Sequence, residues 1–380
     1  MELVWVEDSA PQAFASALQQ AGQRDDIHAV LVLAADGNAW TPENLDAVLR
    51  ASPLPVLGGI FPQIIHGQRN HTQGAVLVLL KNPVEWACIP HLSQPDADYD
   101  TPLAALADEW AEYSSPATHL VLVDGLATCI ASLIEAVFAN FGLSCRHLGG
   151  GAGSLSFQQK PCLITPKGLV MDAALLVRLP VRSGVGVSHG WQPISEPYKV
   201  TQSHKNLVQQ LEWKPAFNEY RRVVEAHSGQ VFNDHNFFDL AKSYPLGISK
   251  LDAEVVVRDP LMLRDQQAMV CVGEVPEGAS VRILNGTPET LIQAARQAAE
   301  LARADYAHTG ADTVCLGLFI DCISRVLFMG ERIREELAAV SGDYPLVGAL
   351  TLGEIANSGE DFLEFYNKTA VLGLLSSTRS

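Results

Sequence analysis

Three stretches of the chain follow one plan: an apolar strand, a helix, a second strand ending in small residues, and a return strand that opens with alanine. The first runs through Ala29–Leu33, a helix over 41–52, Pro55–Gly59 and Ala75–Leu80. The second runs through His119–Val123, a helix over 127–141, Arg146–Gly151 and Ala174–Val177. The third runs through Val314–Leu318, a helix over 324–340, Pro345–Ala349 and Ala370–Leu375. A recurrence this long, with turn glycines in corresponding places, argues for one supersecondary unit used three times. The glycine-ended strands are then the expected rim of a binding site.

Composition narrows the function classes. With 380 residues, 48% of them hydrophobic, the chain can bury a large core, and its length suggests two domains or three. The formal charge of −17 and the lack of basic runs oppose nucleic acid and anionic lipid, because phosphate contacts need clustered Lys and Arg. Met1–Asp8 shows no basic region followed by an apolar stretch, and no run reaches the roughly 20 residues that span a bilayer. The expectation is a soluble, cytoplasmic protein. Seven cysteines are scattered without a CxxC pair, so neither a disulfide framework nor a zinc clip is indicated, and most read as inert core residues.

Between the repeats, the acidic, proline-containing stretch 94–102 reads as a surface connection, with Thr101 as N-cap of a helix over 103–113. Pro161–Val170 reads as a hairpin, and Gly184–His189 as a strand running into Gly190-Trp191. At Lys214-Pro215 the pattern changes, since Pro215 suits the first turn of a helix through about Glu225. This places a domain boundary there, giving 1–213 and 214–380. Strands Glu254–Arg258, Met269–Val272 and Val281–Leu284 give the second domain an antiparallel core, followed by an amphipathic helix over Glu289–Ala304. The fold class is α/β: two domains with mixed β-sheets flanked by helices, built from repeated strand-helix-strand-hairpin units.

At these residues the chain resembles the FIST family, paired N- and C-terminal domains of bacterial sensory proteins. Cys322-Ile323-Ser324-Arg325 followed by Gly330 resembles the family's Cys-x-x-Arg motif, and Gly348–Ile355 its Gly-x-x-Thr-x-Gly-Glu loop. Phe365–Thr369 resembles the aromatic-Asn-x-Thr that enters the last strand. Gly190–Pro193, Val200-Thr201, Pro215-Ala216, Pro245–Gly247 and Val257-Arg258 follow in family order, so the likeness covers nearly the whole chain. A stand-alone pair with His189 before Gly-Trp is similar to the nitric-oxide-sensing, NosP-type branch, which binds haem. The loop Gly58–Ile64 departs from the Gly-Cys-Ser/Thr pattern of many relatives.

The resemblance implies a non-enzymatic sensor that binds haem b without covalent attachment, with His189 as iron ligand and Trp191 beside the ring. Neutral imidazole is the commonest proximal ligand of haem, although a His in this setting also serves as an ordinary structural hydrogen-bonding group. His147 and His204 are weaker candidates. A gas such as nitric oxide would be the signal, and a histidine kinase or a cyclic-nucleotide signalling enzyme the partner; a homodimer is left open. Arg258, Arg325, Thr351, Glu354 and Asn367 form a second candidate set, suited to an amino acid or similar metabolite in a haem-free receptor, since an Arg fork grasps a carboxylate and a Glu an amine. The competing reading of that set is an internal Arg–Glu staple. Gly149–Ser154 lacks the lysine and spacing of a phosphate loop and reads as a turn or a pocket wall. Cys322, beside Asp321 and one helical turn from Arg325, is the single candidate thiol nucleophile.

Overall fold

A computed structural model describes residues 1–113, 116–143, 145–233, 235–249, 255–311, 313–357 and 362–377. The first repeat comprises β1 (Glu2–Val6), α1 (Pro11–Gly22), β2 (Ala29–Ala35), α2 (Pro42–Ala51), β3 (Val56–Phe61), the hairpin β4 (Gln63–His66) and β5 (Arg69–His71), and β6 (Ala75–Leu80). The second comprises β7 (Glu85–Pro90), α3 (Asp100–Ala111), β8 (Thr118–Asp124), α4 (Ile130–Phe141), β9 (Arg146–Ala152), the hairpin β10 (Leu163–Thr165) and β11 (Gly168–Val170), and β12 (Ala173–Leu179). The third opens with β13 (Ser183–Ser188) and is then interrupted by an insert.

The insert holds β14 (Gln192–Pro193), β15 (Tyr198–His204), β16 (Leu207–Leu211), β17 (Lys214–Pro215), α5 (Ala216–Ser228), α6 (Phe237–Ala241), β18 (Leu246–Ile248), β19 (Val256–Arg258), β20 (Pro260–Arg264), β21 (Ala268–Cys271) and β22 (Ser280–Asn285). Its strands form one antiparallel sheet of their own. The third repeat resumes with α7 (Pro288–His308), β23 (Val314–Cys322), α8 (Ile323–Met329), α9 (Ile333–Val340), β24 (Leu346–Thr351), the hairpin β25 (Glu354–Ala356) and β26 (Glu364–Tyr366), and β27 (Ala370–Ser376).

All three repeats pair alike. The sheets read β1-β6-β2-β3-β10-β11, β7-β12-β8-β9-β25-β26 and β13-β27-β23-β24-β4-β5. In each, the two strands joined across a helix are parallel and the return strand is antiparallel to the first. The last two strands of each sheet come from another repeat: the first repeat lends its hairpin to the third, the second to the first, and the third to the second. This cyclic exchange covers the outer edge of each second strand, which would otherwise offer unpaired backbone groups.

One glycine per repeat makes the parallel pairing close. Gly58, Gly149 and Gly348 face Val32, Val121 and Phe319, and a Cβ on any of them would lie within 1.9 Å of that neighbour's carbonyl oxygen. Side chains then alternate. Leu120, Leu122, Leu318 and Ile320 point into a shared central core, whereas Val121 and Val123 pack outward under α3 and α4, and Phe319 under α7 and α9. Such alternation buries both faces of every sheet.

Local expectations need four corrections. The helix expected over 324–340 is two helices, because Gly330 turns the chain at φ +57. Thr101 lies inside α3 rather than at its cap, and Asp98 Oδ1 accepts the Thr101 amide hydrogen at 3.0 Å. Gly149–Gly151 belongs to β9, not to a turn. Of the strand expected over 254–258, Val256–Arg258 is strand and Glu254 lies outside the described residues. Among the described residues no helix is long and apolar enough to cross a membrane.

Candidate ligand-binding site

Open α/β sheets bind ligands beyond the carboxyl ends of their strands, where loops diverge. Here a cavity of about 390 Å³ opens at the carboxyl ends of β8, β9, β23 and β24. Gly125–Thr128 and Leu155 come from the second repeat, and Cys322–Ser324 with Leu352-Gly353 from the third. The insert covers it with Lys205 and Asn206 of the β15–β16 turn, Asp259 and Leu261, and Cys271–Glu274. Phe157, Phe238 and Leu327 line the cavity and are also exposed, at 54%, 39% and 46%, which gives it an apolar mouth.

The floor carries the few polar groups. Asn367, in the turn between β26 and β27, is 1% exposed, and neither Nδ2 nor Oδ1 meets a hydrogen-bond partner. Beside it, Asp259 Oδ2 pairs with Lys368 Nζ at 3.0 Å while Oδ1 has no partner. Burial raises the Asp259 carboxyl, and Lys368 opposes the shift. Lys368 is itself fully buried; it donates to the Lys242 carbonyl at 3.0 Å and sits 5.1 Å from the Trp191 ring centre. One lysine therefore ties the last turn of the third repeat to the insert.

Thr351 and Glu354 lie under that floor. Glu354 Oε2 accepts from the Thr369 amide and Oε1 from Thr351 Oγ1, both at 3.1 Å. Burial pushes Glu354 up to about 8, so it holds a proton at neutral pH. Burial, reinforced by Glu354, drives the Cys322 thiol far above its ordinary range, and Ser324 Oγ donates to its sulfur at 3.0 Å. A thiol so placed supplies no thiolate, so Cys322, the one candidate for a thiol nucleophile, is held in its unreactive form.

Arg325 is fully buried and committed within the protein. It donates to the carbonyls of His189, Lys368 and Leu291 at 2.8, 3.1 and 3.0 Å, pairs with Glu336, and lies 3.1 Å from Asp321. Burial first, then Glu336, raises Asp321 well above the carboxylate range. Two acids around one guanidinium thus keep a proton between them. Arg258 is likewise spent on carbonyls, those of Glu274 at 2.8 Å and of Val257 and Phe365 at 3.0 Å; burial lowers it to about 10. Both arginines staple backbone segments and neither lines the cavity.

His189 and Trp191 lie away from the cavity lining. His189 Nδ1 accepts the Trp191 amide hydrogen at 2.9 Å, and burial, with Arg325 nearby, lowers the imidazole to about 4. Trp191 is 1% exposed and donates Nε1–H to the Lys368 carbonyl at 3.1 Å. Among the described residues that line the cavity there is no His, Met or Tyr, and burial pushes Cys271 up to about 12 and Cys322 higher. These groups do not fit a haem iron. His204 is exposed at the end of β15, and His147 is buried at the opposite end of β9.

The structure therefore brings Asn367 and Cys322 to the cavity, puts Thr351 and Glu354 beneath it, and leaves Arg258, Arg325, His189 and Trp191 in the framework. Sequence reasoning missed Asp259, Lys368, Lys205 and Asn206. Two of them adjoin residues it did choose, Arg258 and Asn367.

The chain is thus a mixed α/β protein with a covered cavity at its strand ends, apolar at its mouth and polar at its floor. Residues 28–214 match the FIST N domain and residues 216–357 the FIST C domain, and the chain belongs to the FIST family. FIST domains are associated with sensing in signal transduction. Both matched ranges contribute walls to the cavity, whereas Asn367 lies beyond the second. No curated protein matches the chain.

Proposed function

We propose that this protein is a haem-free receptor for a small, mostly apolar molecule that carries an amide-like group, and that it passes the bound state to a signalling enzyme. The observation that carries this is Asn367, a buried amide whose donor and acceptor are both unpaired at the floor of an apolar cavity. An unpaired buried amide costs about 1–3 kcal/mol, which a ligand recovers by pairing it. Asn367 offers an NH2 with two donor hydrogens and a carbonyl acceptor, and Asp259 Oδ1 a further acceptor, a pattern that complements a carboxamide or lactam. The carboxylate clamp expected of Arg325 is withdrawn, because its donors are already used.

A sensor needs two states that a ligand distinguishes. Asp259 belongs to the insert and Asn367 to the third repeat, and Lys368 joins them; a ligand gripping both favours one placement of the insert over the core. The partner that reads this difference is the histidine kinase or cyclic-nucleotide enzyme that the FIST resemblance implies. Nitric oxide sensing through His189 receives no support from the geometry, since the imidazole does not line the cavity.

The test is calorimetric titration of the purified protein with small lactams and N-acetyl amino-acid amides of increasing apolar size, beside a haem titration followed by absorption. Saturable amide binding that Asn367→Leu removes is the expected result. Stoichiometric haem with a Soret band lost in His189→Ala, and no amide binding, would overturn the proposal.

A further inference from the structure

Away from the cavity, on the outer face of the second repeat, lies a second cluster that the receptor function does not use. We propose that His119, Cys145 and His147 form a zinc site. His119 and His147 are cross-strand partners on the parallel strands β8 and β9, and Cys145 is two residues before His147, which turns it to the same face. One ligand atom from each of the three lies within 4.8 Å of the others.

The spacing suits the metal. His119 Nδ1 and His147 Nε2 are 3.3 Å apart, the separation expected of two nitrogens at about 2.0–2.1 Å from a tetrahedral zinc. A thiolate at about 2.3 Å from the same ion requires the Cys145 sulfur to swing inward by about 1 Å at most. Both rings are buried, and a neutral imidazole gives a zinc ion the lone pair of one ring nitrogen. His147 Nδ1 has no partner of good geometry, while Asn357 accepts the His147 amide hydrogen at 2.7 Å and reaches the Cys145 carbonyl at 3.4 Å. The same asparagine thus orients both ends of the ligand turn, as supporting groups around metal sites do.

The surroundings tolerate the charge. Arg178, whose charge acts on His119, is paired with Glu85 at 3.4 Å, and Trp110 and Phe141 wall the cluster at 4.9 and 4.8 Å from the His119 ring. Binding exchanges the thiol proton for zinc: the S–H bond breaks, an S–Zn bond forms, and the proton leaves to solvent past the half-buried Cys145. Three protein ligands leave the fourth position for water. The site lies at the amino ends of β8 and β9, about 20 Å from the cavity by strand rise. Asn357 directly follows β25, so zinc would pin the joint where the third repeat's hairpin enters the second repeat's sheet.

The experiment loads the chelator-stripped full chain with Zn²⁺ in competition with a chromophoric chelator, and separately with Co²⁺. One ion per chain is expected, with tetrahedral Co²⁺ absorption and a thiolate-to-cobalt charge-transfer band. Cys145→Ser should abolish that band, and it and His119→Gln should each weaken Zn²⁺ by at least the roughly 10–100-fold that loss of a supporting group alone brings. Cys88→Ser, a half-buried thiol elsewhere, should change neither. Substoichiometric zinc in the wild type, or equal zinc affinity in both ligand variants, would overturn the site.

Discussion

Replacing Asn367 by leucine separates a recognition group from a structural one. Asn367 Nδ2 and Oδ1 are buried without partners, so the side chain contributes no hydrogen bond to the folded state. Its backbone carbonyl accepts from Thr369 Oγ1 at 2.7 Å, and any residue keeps that bond. Leucine has a similar size and removes an orphaned amide that costs about 1–3 kcal/mol when buried unpaired. The unliganded variant should therefore be more stable than wild type by about 1–3 kcal/mol in urea unfolding. Amide binding should fall at least about tenfold, because 1.4 kcal/mol is tenfold and the variant leaves the ligand's own polar group unpaired. A variant destabilised by about 2 kcal/mol or more, or one that binds the same amides within about threefold, would refute the reasoning.

Four other outcomes can be checked. Lys368→Met leaves Asp259 buried and unpaired, so it should cost about 3–5 kcal/mol, most of it recovered in Lys368→Met/Asp259→Leu; urea unfolding of the pair of variants measures this. Glu354 binds a proton in the folded state up to about pH 8 and in the unfolded state only to about 4.5, so its contribution is complete below 4.5 and is lost as pH rises through 8. Glu354→Gln should flatten the stability–pH curve in that window, and an unchanged slope would remove Glu354 as its source. Gly58→Ala, Gly149→Ala and Gly348→Ala each drive a Cβ to within 1.9 Å of a neighbouring carbonyl oxygen, so all three should unfold the protein or lower its melting temperature severely. Cys322 should react with iodoacetamide far more slowly in the folded protein than after denaturation, read by mass spectrometry of the peptide.

The repeats were legible because their signal is local: apolar strands of fixed length, helices between them, and glycines where two backbones nearly touch. The hairpin exchange was not, since β4, β10 and β25 look like ordinary edge strands and nothing local names a partner repeat 100 or more residues away. The candidate site was partly legible. Asn367, Thr351, Glu354 and Cys322 stood out because they fall in the motifs that resemble the family's, but burial decides what such groups do. The same signal picked Arg325 and Arg258, whose guanidiniums the fold spends on carbonyl oxygens. His189, at a strand end among small residues, looked like an iron ligand; the structure turns its ring back onto the Trp191 amide.

Comparing the repeats with one another locates the function better than any single motif. Counting from the paired glycines, Thr351 of the third repeat corresponds to Phe61 of the first and Ala152 of the second, and Asp321 to Ala34 and Val123. The first repeat closes its strand ends with apolar residues: an added Cβ on Gly59 would meet the Phe61 ring at 2.8 Å, so no space is left there. The third repeat puts a threonine and a buried acid at the matching places, and Arg325 is held against that acid. It also carries the insert, which reaches across to the second repeat and closes the cavity over both. Three copies of a unit made for stability would be apolar throughout. At these two matched positions the polar departures fall in the copy that bears the cover, and that asymmetry gives the repeated scaffold a covered cavity at its strand ends.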